Sequence, residues 1–139
     1  MPAIINAVNT KLSAIDVDKM TRIQASTLLA VMRVRIHQDG LDSQGQAIGT
    51  YSPGYLKYRM KHKRGSDPRV ILSLTRSMEQ SMELYPVKNG TGIGFSTREN
   101  LNKSKWCEQT YGKRIYAPTI SEKKMVIEIG KDYISKITQ

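Results

Sequence analysis

Residues 82–95 read MELYPVKNGTGIGF, and this stretch decides the fold class. Two extended segments, 82–87 and 91–95, flank Asn89-Gly90, a pair that accepts the positive φ angles of a type I′ hairpin turn. The stretch therefore predicts a β-hairpin that depends on Gly90 at its tip, so that Gly90→Val should impair folding. Pro86 has no N–H to donate to a neighbouring strand, which favours an edge position for the first strand.

The glycines of this stretch, Gly90, Gly92 and Gly94, do not form a phosphate-binding motif. A P-loop needs a following Lys-Ser or Lys-Thr, and a dinucleotide site needs a strand, a tight turn and a helix in that order. We interpret them instead as glycines of a hairpin strand that another backbone segment approaches closely.

The residues before the hairpin predict helices. An apolar stripe begins after Asp16 or Asp18, either of which can cap a helix of about six turns, and Asp39-Gly40 stops it; the stripe consists of Met20, Ile23, Leu28, Val31 and Val34. Residues 39–52 predict a loop with a short extended piece around 47–51. Ser52-Pro53 begins a second helix that ends near residues 65–68, and Thr75 caps a brief helix reaching Met82.

The residues after the hairpin predict two more helices. Thr97 caps a helix that runs to Tyr111, offers Leu101 and Trp106 for burial, and stops at Gly112. Residues 113–118 predict a short extended segment. A last helix begins at Ser121 and presents a stripe to the core or to a neighbouring subunit, formed by Val126, Ile129, Tyr133 and Ile137.

The length of 139 residues predicts one domain. The element order indicates an α+β fold, with a small, mostly antiparallel sheet that contains the hairpin and is packed by a long N-terminal helix and further helices. Residues 16–139 form this domain. Residues 1–15 are predicted to be an N-terminal arm or short helix, because Ile4, Val8, Leu12 and Ile15 recur at helical spacing.

The net charge indicates the kind of partner that the chain binds, and the cysteine content indicates the cellular compartment that it occupies. The chain has 22 Lys and Arg against 12 Asp and Glu, a net charge of +10, so a polyanionic or acidic partner is plausible. The lone Cys107 cannot form an internal disulfide, which fits a reducing cytoplasm. No apolar run has the length of a membrane span, and the first residues lack a signal-peptide pattern, so we expect a soluble chain.

Catalytic and metal-binding patterns are not evident. Asp39, Asp42 and Gly45 do not have calcium-loop spacing, while His37, His62 and Cys107 each lack a second ligand at metal spacing. No nucleophile motif surrounds a Ser or Cys, and Glu79, Glu83 and Glu99 show no acid–base arrangement. We therefore expect a protein that is not an enzyme and has no cofactor.

The candidate contact site is a basic run with two tyrosines, Tyr55 and Tyr58, beside it. Its six cations stand against one acid, Asp67; they are Lys57, Arg59, Lys61, Lys63, Arg64 and Arg69. If five of them touched duplex DNA, log affinity would fall by about 4 to 5 units per decade of salt. The alternative is a solvated helix face with a tyrosine-lined inner side.

The order of motifs resembles the head–tail connector or tail-completion proteins of tailed bacteriophages, including the virion morphogenesis group. The motifs are the long helix ending at Asp39-Gly40, then GQAIGTYSPGYLKYR (45–59), RVILSLTRSMEQSM (69–82), GTGIGF (90–95), WCEQTYGKRIYAPT (106–119) and a terminal helix. The resemblance covers residues 17–136. Arg76 stands where the family usually has glycine, which bears on the turn at Thr75 because arginine tolerates a left-handed backbone poorly.

The resemblance implies a structural virion protein made in the host cytoplasm. Such a subunit belongs to an oligomeric ring, commonly hexameric, that joins the portal side of the neck to the tail and surrounds the DNA channel. Its partners would be portal, adaptor and tail proteins, with non-specific contact to DNA and no contact with a membrane. The loop 39–52 and both termini are the expected contact regions.

Two other classes of function stay open from the sequence. A small basic nucleic-acid-binding protein would use the run 57–69, and the high pI and the tyrosines favour it, although no recognised nucleic-acid motif is present. A small hydrolase or nuclease would need an acidic metal cluster or an activated nucleophile, and the sequence indicates neither.

Overall fold

The computed structural model describes residues 15–73 and 76–138. Within these ranges lie five helices and two strands: α1 (Val17–His37), α2 (Pro53–Lys61), α3 (Ser77–Gln80), β1 (Met82–Val87), β2 (Gly90–Phe95), α4 (Arg98–Tyr111) and α5 (Ile120–Thr138). The α+β class, the hairpin and the long N-terminal helix are confirmed. The predicted arm or short helix of residues 1–15 lies almost wholly outside the described residues.

Local chemistry sets the two ends of α1. The Asp16 carboxylate accepts a hydrogen bond from the Lys19 N–H at 3.0 Å, which caps the first turn. At the other end the N–H groups of Gln38 and Asp39 both donate to the Val34 carbonyl. Gly40 then turns the chain with a φ of +66°. The predicted limits of this helix are confirmed.

The hairpin is antiparallel, with Leu84 opposite Ile93 and Val87 opposite Gly90. Its two-residue loop is therefore Lys88-Asn89, one position earlier than predicted. Asn89 has the left-handed backbone, with a φ of 61°, while Gly90 is not among the positive-φ glycines. The predicted dependence on Gly90 was wrong in its cause, and a Cβ at this position would meet its nearest side-chain atom only at 3.8 Å.

Gly92 and Gly94 leave room for an aromatic ring. A Cβ at Gly92 would lie 2.6 Å from Cζ of Tyr85, the residue opposite in the register, and one at Gly94 would lie 2.9 Å from Cε1 of the same ring. The close approach predicted for this strand therefore comes from a tyrosine side chain on the partner strand and not from a backbone segment.

The core forms where α1 packs against the hairpin, and α5 packs against α1 as well. Its buried residues come from elements far apart in the chain, namely Leu29, Met32, Ile36, Ile48, Tyr51, Val70, Met82 and Ile115. The loop after α1 contributes Ile48 and Tyr51, and it is held by isolated bridges between Leu41 and Ala47 and between Thr50 and Arg69. Most of this loop is irregular, with extended pairing only at these bridges.

The limits of α4 match the prediction, but its buried face does not. Thr97 caps the helix through the Asn100 N–H at 3.2 Å, and Gly112 ends it with a φ of 61°. Trp106 is 60% exposed and Leu101 is 40% exposed, whereas Asn100 and Ser104 are buried. Each residue turns the helix by about 100°, so Leu101 and Trp106 point away from the face that carries Asn100 and Ser104. Residue type alone therefore predicted the wrong buried face.

Residues 113–118 do not form the extended strand that was predicted. Side chains, and not a neighbouring strand, bind the backbone of this segment. The Glu108 carboxylate accepts from the Ile115 N–H at 2.7 Å, and the Arg35 guanidinium donates to the carbonyls of Ile115 and Ala117. The backbone is therefore satisfied without a sheet.

Arg35 joins four parts of the fold from a nearly fully buried position. Its Nε donates to the Glu122 carboxylate at 2.8 Å, and its Nη atoms donate to the carbonyls of Leu41, Ile115 and Ala117 at 2.8–3.2 Å. Glu122 also accepts from the Thr119 N–H, while its own N–H donates to the Thr119 hydroxyl. This capping box begins α5 at Ile120, one residue before the predicted start.

The remaining helix predictions differ at their ends. Helix α2 stops at Lys61, several residues before the predicted limit. Helix α3 is only the single turn Ser77–Gln80, and its predicted cap, Thr75, lies outside the described residues. Within the described residues, no helix is both long enough and apolar enough to cross a bilayer.

His37 is a buried titratable group at the end of α1. Its ring is 3% exposed and lies beside Tyr116, with the Nε2 atom 3.4 Å from the phenol oxygen. Burial lowers the pKa of His37 below 6.5, while the carboxylate of Glu79 opposes that shift and the Arg33 guanidinium adds to it. His37 is therefore held neutral in the folded protein near pH 7.

Stability should fall as the pH drops below about 6.5, the usual histidine pKa. Above that pH both states hold His37 neutral, so its contribution is complete. Below it the unfolded chain binds a proton at His37 that the folded chain does not bind. The stability that neutral His37 contributes is then lost as the pH falls through the depressed folded-state pKa. Urea unfolding at pH 7.5 and 5.5 measures this loss. His37→Gln should reduce the loss and His62→Gln should not; equal losses in both variants would contradict the assignment.

Candidate partner and nucleic-acid interface

The candidate interface is built on α2 and the turn that follows it. The Ser52 hydroxyl accepts from the Tyr55 N–H at 3.3 Å, and Pro53 occupies the first helical position. The helix ends where the His62 N–H donates back to Tyr58 and Arg59, and Lys63 follows with a left-handed φ of 57°. The nine residues of α2 make about two and a half turns, so its side chains point to all sides of the helix.

Four of the six predicted cations are exposed on this element: Lys57, Lys61, Lys63 and Arg64. None of them forms an ion pair with another residue of the described ranges. Their charges are therefore available to a partner, and we call these residues the basic patch. Their exposure also means that each contributes little to folding stability.

Arg69 is exposed but already occupied. Its Nη2 and Nε atoms donate to the Asp67 carboxylate at 2.7 and 2.9 Å, and the Arg69 backbone N–H donates to the same group. These hydrogen bonds lower the pKa of Asp67. Because a carboxylate offsets its charge, Arg69 adds less to the positive potential than the members of the basic patch.

Arg59 is not available to a partner, because it is 2% exposed. Its guanidinium lies 4.6 Å above the Tyr51 ring and donates to the Ser73 carbonyl at 3.1 Å. Arg59 thus anchors α2 to the core. One sequence signal existed: Arg59 follows the half-buried Leu56 by three residues and so shares its helix face.

The tyrosines do not line the inner side of α2. Tyr51, Tyr55, Tyr58 and His62 form a row whose successive ring centroids are 5.1, 5.9 and 4.0 Å apart. Tyr55 and Tyr58 are 38% and 46% exposed, while the Tyr51 hydroxyl accepts from the buried side, from the N–H groups of Ile71 and Leu72. The row forms an aromatic surface on α2, and Leu56 and Arg59 face inward.

The residues considered for metal or nucleophile chemistry are dispersed. Asp42 is buried, and its carboxylate accepts from the Gln44 and Gln46 N–H groups at 2.9 Å, which shapes the loop. Cys107 is half-buried on α4, and burial raises the pKa of its thiol. Across residues 15–73 and 76–138, no three His, Cys, Asp or Glu side chains are grouped closely enough to hold a metal ion.

No protein-family model, no curated protein and no solved structure matches this chain. Any assignment of function therefore depends on the residues and on the resemblance of the motif order.

Proposed function

We propose that this chain is a structural protein of a tailed-phage neck, a head–tail connector or tail-completion subunit without catalytic activity. It would form an oligomeric ring, with six copies favoured, between the portal side and the tail and around the DNA channel. Portal, adaptor and tail proteins would be its neighbours in the virion.

The observation that carries the proposal is the apolar surface that one subunit leaves in water. Exposed large apolar residues that could meet other copies include Val17, Ile23 and Val34 on α1 and Leu101 and Trp106 on α4. Exposed apolar side chains that join into a continuous patch mark a surface that other subunits cover. A ring subunit contacts copies of itself through two different surfaces, which needs such faces on more than one side.

The backbone at residue 76 supports the resemblance. Arg76 replaces the glycine usual in the phage proteins, yet its φ is 65°, the left-handed region that glycine favours. Its guanidinium reaches the Glu79 carboxylate at 3.3 Å across the single turn of α3. The conformation that the family pattern implies is therefore present with a different side chain.

Imaging particles that contain the chain tests the assignment. We expect a closed ring of copies at the neck, coaxial with the DNA channel. One copy per particle, or a position on the capsid shell or tail fibres, would contradict the proposal.

The basic patch provides a prediction that separates the neck role from nucleic-acid binding. Lys57→Glu, Lys61→Glu and Lys63→Glu together should leave the domain folded, since substitutions at exposed sites usually change stability by less than about 0.5 kcal/mol each. The variant should lose docking to acidic neighbours or slow DNA passage, measured as fewer completed particles. Changing Lys19, Lys88 and Lys105 to Glu, an equal charge change at other exposed sites, should have less effect.

Free duplex DNA should bind the wild-type protein only weakly at physiological salt, with micromolar affinity or poorer, as expected of non-specific contacts. The alternative, a nucleic-acid-binding protein, is favoured by the four unpaired cations beside the exposed Tyr58. It predicts tight binding with a slope of roughly 3 to 4 log units per decade of salt, which the triple substitution would flatten. That result would replace the neck assignment.

A further inference from the structure

The outward face of α5 carries a line of isoleucines and lysines. Ile120, Ile127 and Ile134 are 73%, 55% and 38% exposed. They are seven residues apart, so they lie on one line along the helix, and Lys124 and Lys131, also exposed, fall between them on the same line. We call these five residues the Ile–Lys ridge.

The ridge is separate from the face that packs inside the molecule. The inner face of α5 consists of the half-buried Val126, Ile129, Tyr133 and Ile137, the stripe predicted from the sequence. It meets α1, where the Gln24 amide donates to the Val126 carbonyl at 2.9 Å and lies against Gly130. The fold therefore uses one apolar face of α5 and leaves a second one in water.

The spacing of the ridge fits another helix. In a coiled coil the seam positions alternate four and three residues apart, and the ridge has this spacing with isoleucine at one seam position and lysine at the other. From Ile120 to Ile134 the ridge rises about 21 Å, or roughly four turns, a length that a partner helix of about 15 residues can cover. A strand or an irregular loop would not match this period.

Charge argues against a second copy of α5 as that partner. In an antiparallel pair centred on Ile127, Lys124 would lie within one residue of Lys131 of the other copy; in a parallel pair, equivalent lysines would approach each other. Both arrangements place like charges beside the seam, and each chain already carries a net charge of +10. Glu128 offsets only Lys131, at 3.3 Å. A helix with carboxylates opposite the lysines removes this repulsion.

We propose that the Ile–Lys ridge docks an amphipathic helix of a different protein, with apolar residues at heptad spacing and Asp or Glu between them. The isoleucines supply the contact area and the lysines select an acidic partner over a basic one. The inference does not depend on the neck assignment, because it follows from the exposed face of α5 alone.

Two labelled synthetic helices of about 21 residues, or three heptads, serve as probes. Both carry Leu at the heptad positions; one has Glu and the other Lys at the positions between. Fluorescence anisotropy should show the acidic helix binding at least about tenfold more tightly, equivalent to about 1.4 kcal/mol. Ile120→Ser, Ile127→Ser and Ile134→Ser together should abolish that binding, and Lys124→Glu with Lys131→Glu should reverse the preference.

A matched variant and a scrambled probe separate docking from general attraction. Lys88→Glu with Lys105→Glu makes the same change in net charge at exposed sites away from α5 and should keep the preference for the acidic helix. Equal binding of a scrambled acidic peptide of the same composition would overturn the proposal, because net charge alone would then explain it. Self-association of the wild type that the three serine substitutions remove would also overturn it, since a second copy would then cover the ridge. The lysine reversal gives a readout even if the serine variant unfolds.

Discussion

Arg35→Ala should lower the free energy of unfolding by about 3 to 5 kcal/mol, the range found when one partner of a buried ion pair is removed. The variant leaves the buried Glu122 carboxylate without its cation, at a site where the native distance is 2.8 Å. It also removes the donors that satisfy the carbonyls of Leu41, Ile115 and Ala117. The irregular segment 113–118 would then lose hydrogen bonds that satisfy its backbone in the absence of a paired strand.

Urea denaturation followed by circular dichroism measures this loss, and Arg69→Ala is the matched control. Arg69 also pairs with a carboxylate, at 2.7 Å, but both side chains are exposed, so its loss should be far smaller than that of Arg35. The double variant Arg35→Ala with Glu122→Ala should lose less than the sum of the single variants, because the unpaired charge is absent. Equal losses for Arg35 and Arg69 would show that the buried network does not stabilise the fold.

Gly40→Ala should be the second most damaging substitution, with a loss of about 2 to 5 kcal/mol. The φ of +66° costs an alanine about 1 to 2 kcal/mol. In addition, the new Cβ would lie 2.5 Å from the Val70 carbonyl oxygen, a backbone atom that cannot rotate away. Relieving that overlap would separate the end of α1 from the buried Val70 and adds about 1 to 3 kcal/mol.

Gly45 provides the control for Gly40, because it has a similar φ of +77° but an added Cβ there would meet no atom of the described residues within 4 Å beyond its chain neighbours. Gly45→Ala should therefore show only the backbone cost of about 1 to 2 kcal/mol. The difference between the two variants in urea unfolding isolates the contact with Val70. If both variants lost the same amount, the close approach at Gly40 would carry no energetic weight.

The candidate interface was only partly predictable. The sequence located the basic run and the cap that begins α2, because Ser52 and Pro53 act on their immediate neighbours. It could not separate the exposed cations from Arg59, since burial there depends on Tyr51 and Ser73, outside the helix. The sequence showed that Asp67 lies two residues before Arg69, but it did not show that the two side chains form an ion pair.

Capping and turn chemistry determined the limits of α1 and α4 and the presence of the hairpin from the sequence alone. Asp16, Thr97 and Gly112 act within a few residues of themselves, so their effects need no knowledge of the rest of the chain. Even there, the hairpin loop fell one residue from its predicted place, because Asn89 took the positive φ and Gly90 paired with Val87.

Tertiary structure decided which faces are buried and which polar groups serve in place of a sheet. The pairing of Arg35 with Glu122 spans 87 positions of sequence, and no local pattern specifies it. In the same way, Trp106 is of a residue type common in cores, but its side chain is exposed to water. Helix α5 carries two apolar stripes, and one of them packs against α1. Periodicity describes what a helix can bury, whereas only the position of its neighbours determines which face meets them.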